Sequence, residues 1–424
     1  MFSIYRLLTR IFFPIFIIII YVRKLFGKEN SKSLNEKIYT QFTDHFTNAG
    51  ENIIWFHGAS IGEIMSIVPI INHLIKNNKS LKILISSVTV SSAKLIEKEF
   101  DGNSKVLHHY FPLDLPHIIK KFLKHWKPNA VVFVDSEIWP NFIHEIKKKE
   151  IPLMLINGRI TKKTFKRWIL SKKFAQKVFS SFDTCLASSN ESLLHLKNLG
   201  AKNIKYFGNL KYISTSKKIN KLNKLTVEFF KNRRVWCAAS THKGEELICI
   251  KTHLEIKKKY NNVLTIIIPR HINRVKNIFS ICKKHNLNVQ ILDNETVIKN
   301  STEIILINSF GSLEKYYDYC KSVFVGKSLV KKLRLVGGQN PIEAAKLGCK
   351  IYHGPYIYNF LEVYEYLNRN DMAEPAYNEN DLSKKIMKDF ETFKHVDKNK
   401  IDKINTYGEN ILKSSIEELN KLIT

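Results

Sequence analysis

His57-Gly58-Ala59-Ser60-Ile61-Gly62-Glu63 follows directly on the apolar run Ile53-Ile54-Trp55-Phe56. A short hydrophobic run reads as a buried parallel strand, and the glycine-containing turn after it reads as a loop opening a helix. Such a crossover leaves free backbone N–H groups at a helix N-terminus, at the carboxyl edge of a sheet where open α/β folds bind their ligands. Glu63 then falls in the first helical turn. The spacing of Ser60 and Glu63 also has a plainer explanation, a capping box whose carboxylate complements the helix dipole. The rest of the chain decides between the two.

Outward from this stretch, apolar runs alternate with amphipathic ones. Strands are predicted at Ile53–Phe56, Lys82–Ser86, Val106–Tyr110, Ala130–Val134, Leu153–Ile156, Thr184–Ala187 and Ile204–Phe207, with helices such as Ile64–Asn77 and Ser91–Phe100 between them. The Lys/Asn-rich segment Ser214–Asn223 breaks the pattern and reads as a linker. Alternation restarts at Val235–Ala239, Val263–Ile268, Val289–Leu292, Ile304–Ile307, Ser322–Val325 and Lys350–His353. Strands separated by helix-length segments imply βαβ units, hence two Rossmann-like α/β halves with a cleft between them. The predicted boundaries are 1–30 for an N-terminal appendage, 31–213 and 229–399 for the halves, 214–228 for the linker, and 400–424 for a helix packing back across both.

A length of 424 residues with 44% hydrophobic content fits two domains plus appendages. The six cysteines are scattered without a C-x-x-C pair, and no H-E-x-x-H occurs, which argues against a disulfide framework or a zinc site. The formal charge of +30 comes from lysines spread along the chain rather than from one basic arm, and no nucleic-acid-binding motif accompanies it. The abundance of Lys, Asn and Ile points to a mainly compositional origin of the charge, as from A+T-rich coding, with some lysines recruited for an anionic membrane surface or substrate; no nucleic-acid partner is expected. Ile11–Val22 is apolar apart from Pro14 and is flanked by Arg10 and Arg23-Lys24. As one helix it would span roughly 18 Å, short of a hydrocarbon core of ~30 Å. No small-x-small cleavage site follows, so residues 1–30 read as an uncleaved anchor or a helix lying in one leaflet.

Chemistry-bearing motifs fall where strands end. Asp135-Ser136-Glu137 places two carboxylates after one strand, a D-x-E spacing open to a metal-site reading or to a helix cap. Gly208-Asn209-Leu210-Lys211 puts a cation at the end of the first half. In the second half Ser240-Thr241-His242, Pro269-Arg270-His271, Phe310-Gly311-Ser312 and Gly337-Gly338-Gln339-Asn340-Pro341-Ile342-Glu343 again follow strands or open helices. Arg270 suits a phosphate or carboxylate fork, and Glu343 suits ribose hydroxyls or equally an ordinary first-turn carboxylate.

Together these motifs, with Phe111-Pro112-Leu113-Asp114-Leu115-Pro116, Ser136 through Asn141 and Gly354-Pro355, are collinear over nearly the whole chain. In that order and spacing the chain resembles the 3-deoxy-D-manno-octulosonic acid (Kdo) transferases of lipopolysaccharide synthesis. The resemblance implies a GT-B glycosyltransferase that moves Kdo from CMP-Kdo to the lipid A precursor with inversion, at the inner membrane and without a metal. It implies Glu63 as general base, with Glu137 and Lys211 stabilising the transition state. Pro269, Arg270, Phe310, Gly311, Ser312, Asn340, Pro341, Ile342 and Glu343 match its CMP-binding segments. The departures are Ser312, where the family usually has Glu, Gln339, where it usually has His, and the longer loop Lys331–Val336. Two rival readings remain: a GT-B enzyme with a UDP-sugar donor, and a non-catalytic membrane-surface binding protein of the same fold.

Overall fold

The computed structural model of the protein describes residues 2–42, 52–213, 222–292, 297–309, 313–392 and 398–423. The chain divides into two compact units, Met1–Thr215 with Tyr407–Thr424, and Ser216–Thr406.

The first unit is built on strands β1 (Asn52–His57), β2 (Leu81–Ser87), β3 (Val106–Tyr110), β4 (Ala130–Val134), β5 (Leu153–Gly158), β6 (Thr184–Ala187) and β7 (Ile204–Tyr206). They form one parallel sheet in the order β3-β2-β1-β4-β5-β6-β7. Every residue of β4 is buried, as a strand covered on both faces by helices must be. Trp55, Phe111, Phe122, Trp126, Phe133 and Phe142 make an aromatic centre beneath the sheet. β1 pairs with both β2 and β4, so the strand order reverses there. At such a switch point the loops leaving neighbouring strands diverge and open a crevice at their carboxyl ends.

The second unit repeats the plan with β8 (Arg234–Thr241), β9 (Val263–Pro269), β10 (Val289–Leu292), β11 (Ile304–Ile307), β12 (Ser322–Val325), β13 (Lys350–His353) and β14 (Ala373–Pro375). Their order is β10-β11-β9-β8-β12-β13-β14, all parallel, with the reversal between β8 and β12. β14 was not predicted: Ala-Glu-Pro is too short and polar to register as an apolar run. Of the expected linker, residues 214–221 lie outside the described residues, and a helix, Lys224–Lys231, begins within 214–228. Asn223 caps that helix through the Thr226 N–H, and Phe230 is buried.

One correction concerns the N-terminal end of the chain. Residues 1–30 hold two helices instead of one, Phe2–Ile11 and Phe13–Leu25, bent by 52°. Pro14 lies at the start of the second, where its missing N–H and its ring interrupt the ladder. No single described helix is long and apolar enough to cross a membrane; this bent pair passes that test only when taken together. The C-terminal helix runs Lys398–Ile423, and its part from Tyr407 onward belongs to the first unit. All six cysteines are free and buried.

Candidate active site

The site is assembled at the β1/β4 switch point. β1 ends in His57, whose ring is fully buried and stacked on Phe111 with centroids 3.6 Å apart. His57 Nε2 lies 3.1 Å from Glu137 Oε2, and Nδ1 lies 3.0 Å from the Ser86 hydroxyl. The Ser86 hydroxyl also accepts the Trp55 indole N–H at 2.8 Å. A carboxylate only accepts, so Nε2 carries a proton toward Glu137, while Nδ1 faces both the Ser86 hydroxyl and, at 3.2 Å, the Ser86 carbonyl. The Trp139 indole N–H donates to the same Glu137 oxygen at 2.7 Å. Both bonds therefore fall on Oε2, and Oε1 has no partner among the described residues. Burial pushes the Glu137 carboxyl up, but the hydrogen bond and charge of His57, with the Trp139 bond, outweigh it and leave it below its ordinary value. Glu137 is an anion with one oxygen committed and one to spare.

Glu63 is held differently. The helix Ile61–Asn77 starts after Ser60, and Glu63 reaches back to complete the capping box. Its carboxylate accepts the Ala59 N–H at 2.6 Å, the Ser60 N–H at 3.4 Å and the Ser60 hydroxyl at 3.0 Å. Those bonds favour the charged form. Burial nevertheless lifts the group to about 7, helped by the negative charges of Glu137 and then Asp135. Desolvation and two neighbouring carboxylates thus exceed the acidifying effect of the cap. The capping reading of Glu63 holds in the structure, and the capping side chain is also the carboxyl whose proton affinity is raised. Two carboxyls pushed in opposite directions at one crevice are the signature of a base beside a fixed charge.

Asp135 and Lys211 complete this edge. Asp135 follows β4 with φ +58°, and its Oδ1 is buried without a hydrogen-bond partner. Burial raises its pKa, opposed by the charges of Lys211 and Arg159. Neither Asp135 nor Glu137 caps the following helix, Pro140–Lys148; that work is done by Asp114, which accepts the N–H groups of Asn141 at 3.3 Å and Phe142 at 2.9 Å. Lys211 sits in a 3-10 turn, Leu210–Tyr212. A register shift in β5 gives Asn157 a φ of +54° and turns its side-chain oxygen onto the Leu210 N–H at 3.0 Å. From the other side the C-terminal helix closes on the same turn: a Cβ on Gly208, which has φ +123°, would come within 2.5 Å of Ile411. Lys205 and Glu418 pair at 2.6 Å beside it. Among the described residues no three His, Cys, Asp or Glu side chains converge as metal ligands.

In the second unit the ends of β8, β9, β12 and β13 are stitched together by backbone. The Arg270 N–H donates to Thr241 O at 3.0 Å, and the exposed Arg270 guanidinium has no partner among the described residues. The buried Glu245 carboxylate accepts four N–H groups, from His242, Lys327, Ser328 and Leu329 at 2.7–3.0 Å. Burial raises its pKa against those four bonds. Gly337 lies so close to the next loop that a Cβ would stand 2.1 Å from Tyr356 O. Pro341 precedes the short helix Ile342–Lys346, Asn340 accepts the Ile342 N–H at 3.1 Å, and Glu343 is exposed in its first turn. Pro269 ends β9. Phe310, Gly311 and Ser312 lie outside the described residues.

The structure thus gathers Glu63, Glu137 and Lys211 around Asp135 in the first unit, and sets Arg270 and Asn340–Glu343 on loops of the second. Sequence reasoning gave no role to His57, Ser86, Asp114, Asn157 or Glu245, and read Asp135 only as a metal ligand or helix cap. Only Asn157-Gly158, at a strand end, carried a local signal of an irregular backbone.

Two Rossmann-like units, the first with two carboxyls of opposed proton affinity at its switch point, have the plan of a GT-B glycosyltransferase. Residues 32–214 match the sequence family described as 3-deoxy-D-manno-octulosonic-acid transferase (kdotransferase). The 3-deoxy-D-manno-octulosonic acid transferase of Rickettsia prowazekii is 28% identical over 97% of this chain and 95% of its own. That of Haemophilus influenzae is 30% identical over 74% of this chain and 73% of its own. A UDP-GlcNAc 2-epimerase from Neisseria meningitidis, 13% identical, superimposes on 87% of this chain and 100% of its own with a TM-score of 0.57, a likeness of fold alone. The chain belongs to the 3-deoxy-D-manno-octulosonic acid transferase family.

Proposed function

We propose that the protein transfers Kdo from CMP-Kdo to a hydroxyl of the phosphorylated lipid A precursor, lipid IVA, in lipopolysaccharide synthesis at the cytoplasmic face of the inner membrane, with no metal taking part. The first unit takes the acceptor and the second the nucleotide. Ionised Glu63 removes the proton of the acceptor hydroxyl as its oxygen attacks the anomeric carbon, and the bond from that carbon to the CMP phosphate breaks with its electron pair leaving on phosphate. Attack opposite the departing phosphate inverts the centre. A base with a pKa near the working pH is suited to this step and contributes roughly 10²–10⁴-fold. Positive charge building on the sugar is stabilised by Glu137, whose Oε1 is uncommitted, and negative charge on the departing phosphate by Lys211. Arg270 holds phosphate and Glu343 the ribose hydroxyls, with Pro269, Asn340, Pro341 and Ile342 shaping the loop, and Phe310-Gly311-Ser312 completing the nucleotide contacts. The exposed apolar side chains of the N-terminal helices, among them Ile4, Leu7, Ile11, Ile18 and Leu25, together with the net charge, suit an anionic membrane surface.

The observation that carries this reading is the opposed proton affinity of Glu63 and Glu137 at one switch point beside the buried His57, one raised and one lowered. Mass spectrometry of products from CMP-Kdo and tetra-acylated lipid A precursor tests it. Kdo-extended lipid with the wild type, absent with Glu63→Ala, is the expected result and counts the sugars added. A folded, CMP-binding protein that yields no product would overturn it.

A further inference from the structure

Neither the base nor the nucleotide loops account for Phe111-Pro112-Leu113-Asp114-Leu115-Pro116. In the fold this segment is a strut. At one end Phe111 lies under His57 and 5.2 Å from the Trp139 ring, touching both side chains that donate to Glu137 Oε2. At the other end Asp114 Oδ2 accepts the Tyr5 hydroxyl at 2.8 Å, and Tyr5 lies on the helix Phe2–Ile11. We propose that Tyr5 and Asp114 are positioning residues for Glu137, through which the N-terminal helix sets the geometry of sugar transfer; the proposal rests on the role given to Glu137 above.

The coupling runs through hydrogen bonds that leave little slack. The helix Pro140–Lys148 has Trp139 at its N-cap, and Trp139 offers no side-chain acceptor for the first free N–H groups. Asp114 supplies both acceptors from outside: Oδ1 takes Phe142 and Oδ2 takes Asn141, while the Asp114 carbonyl accepts the Asn141 amide at 2.6 Å. A displacement of Asp114 therefore moves the start of this helix, and with it Trp139 and the oxygen of Glu137 that Trp139 holds. The N-terminal helix grips the same place twice more, through Thr9 on the Asn141 amide at 3.2 Å and Arg6 on Glu145 at 2.9 Å. A helix that served only to hold the chain at a surface would need no polar side chains directed at Asp114 and at the helix that follows the Glu137 loop. Here Ile4, Leu7, Leu8 and Ile11 face outward, while Tyr5, Arg6 and Thr9 are tied to the 114–145 region.

The test uses the full-length protein in detergent with CMP-Kdo and tetra-acylated lipid A precursor. Tyr5→Phe, Glu137→Gln and the double variant are compared, with Asp114→Asn as a second probe of the strut. Tyr5→Phe is expected to lower kcat roughly tenfold, as sub-ångström misplacement does, while KM for CMP-Kdo stays within about twofold. On the Glu137→Gln background Tyr5→Phe and Asp114→Asn should add no further loss, because both act through a carboxylate already gone. A merely structural loss would show instead as the same factor on either background. That multiplicative result, or an unchanged kcat in Tyr5→Phe, overturns the strut while leaving Glu137 in its role. An unaffected Glu137→Gln removes the role of Glu137 and the strut with it.

Discussion

Glutamine at position 63 keeps the shape of the side chain and removes its charge, so it separates burial from ionisation. Burial and the charges of Glu137 and Asp135 lift the Glu63 carboxyl from an ordinary 4.5 to about 7. Each tenfold change in proton affinity is about 1.4 kcal/mol, so the ionised group costs the fold at most about 3 kcal/mol, less what water screens at a half-buried site. A carboxyl that binds its proton more tightly folded than unfolded contributes stability in full below about pH 4.5. That contribution is lost as pH rises through about 7. Glu63→Gln is exempt from this loss. Its melting temperature relative to wild type should therefore climb between pH 5 and pH 8 by several degrees, at about 2–4 °C per kcal/mol for a unit of this size. Tryptophan fluorescence is the right probe, because Trp55, Trp126, Trp139 and Trp168 all lie in the unit that carries Glu63. The same variant should lose turnover by roughly 10²-fold or more, and wild-type kcat should rise about tenfold per pH step to about 7 and then level. A melting difference independent of pH, or a wild-type rate flat from pH 5 to 8, would refute the argument.

Three further outcomes follow from the geometry. Glu245→Ala strips the acceptor from four N–H groups, three of them at Lys327–Leu329; hydrogen exchange should rise in that loop, with a stability loss of roughly 3 kcal/mol. Gly337→Ala puts a methyl against Tyr356 O, a backbone atom that cannot yield cheaply, so calorimetry should show CMP binding weakened by about tenfold or more. Treatment with EDTA should leave Kdo transfer unchanged in the product assay; loss restored by a divalent ion would contradict the metal-free proposal.

The strands were readable because both sheets are parallel and covered on two faces, which forces continuous apolar runs such as Ala130–Val134. Glu63 was readable for a related reason: a strand, a glycine turn and a helix start are adjacent in sequence, so the local pattern contains the whole device. What the sequence concealed depends on partners far apart in the chain. Tyr5 meets Asp114 across 109 positions, His57 meets Glu137 across 80, and Glu245 reaches a loop more than 80 residues on. No periodicity announces such pairs. The proton affinity of Glu63 is hidden on the same ground, since the cap is local whereas Glu137 and Asp135 arrive from another strand. The bend at Pro14 was hidden by composition, because hydropathy sums over a break that the backbone cannot.

At the mouths of both sheets the chain puts residues with side chains into the left-handed region where glycine would be easier: Asp135, Asn157, Ser240 and Lys327, with φ between +54° and +61°. Each such backbone costs about 1–2 kcal/mol, and two of the four coincide with slips in strand register, at Asn157 and Ser240. Glycine at Ser240 or Lys327 would relax the chain and also loosen the loops that the strained turns hold in one orientation. A heat-stability screen would therefore enrich for these exchanges and return slower enzymes, while selection for turnover would discard them.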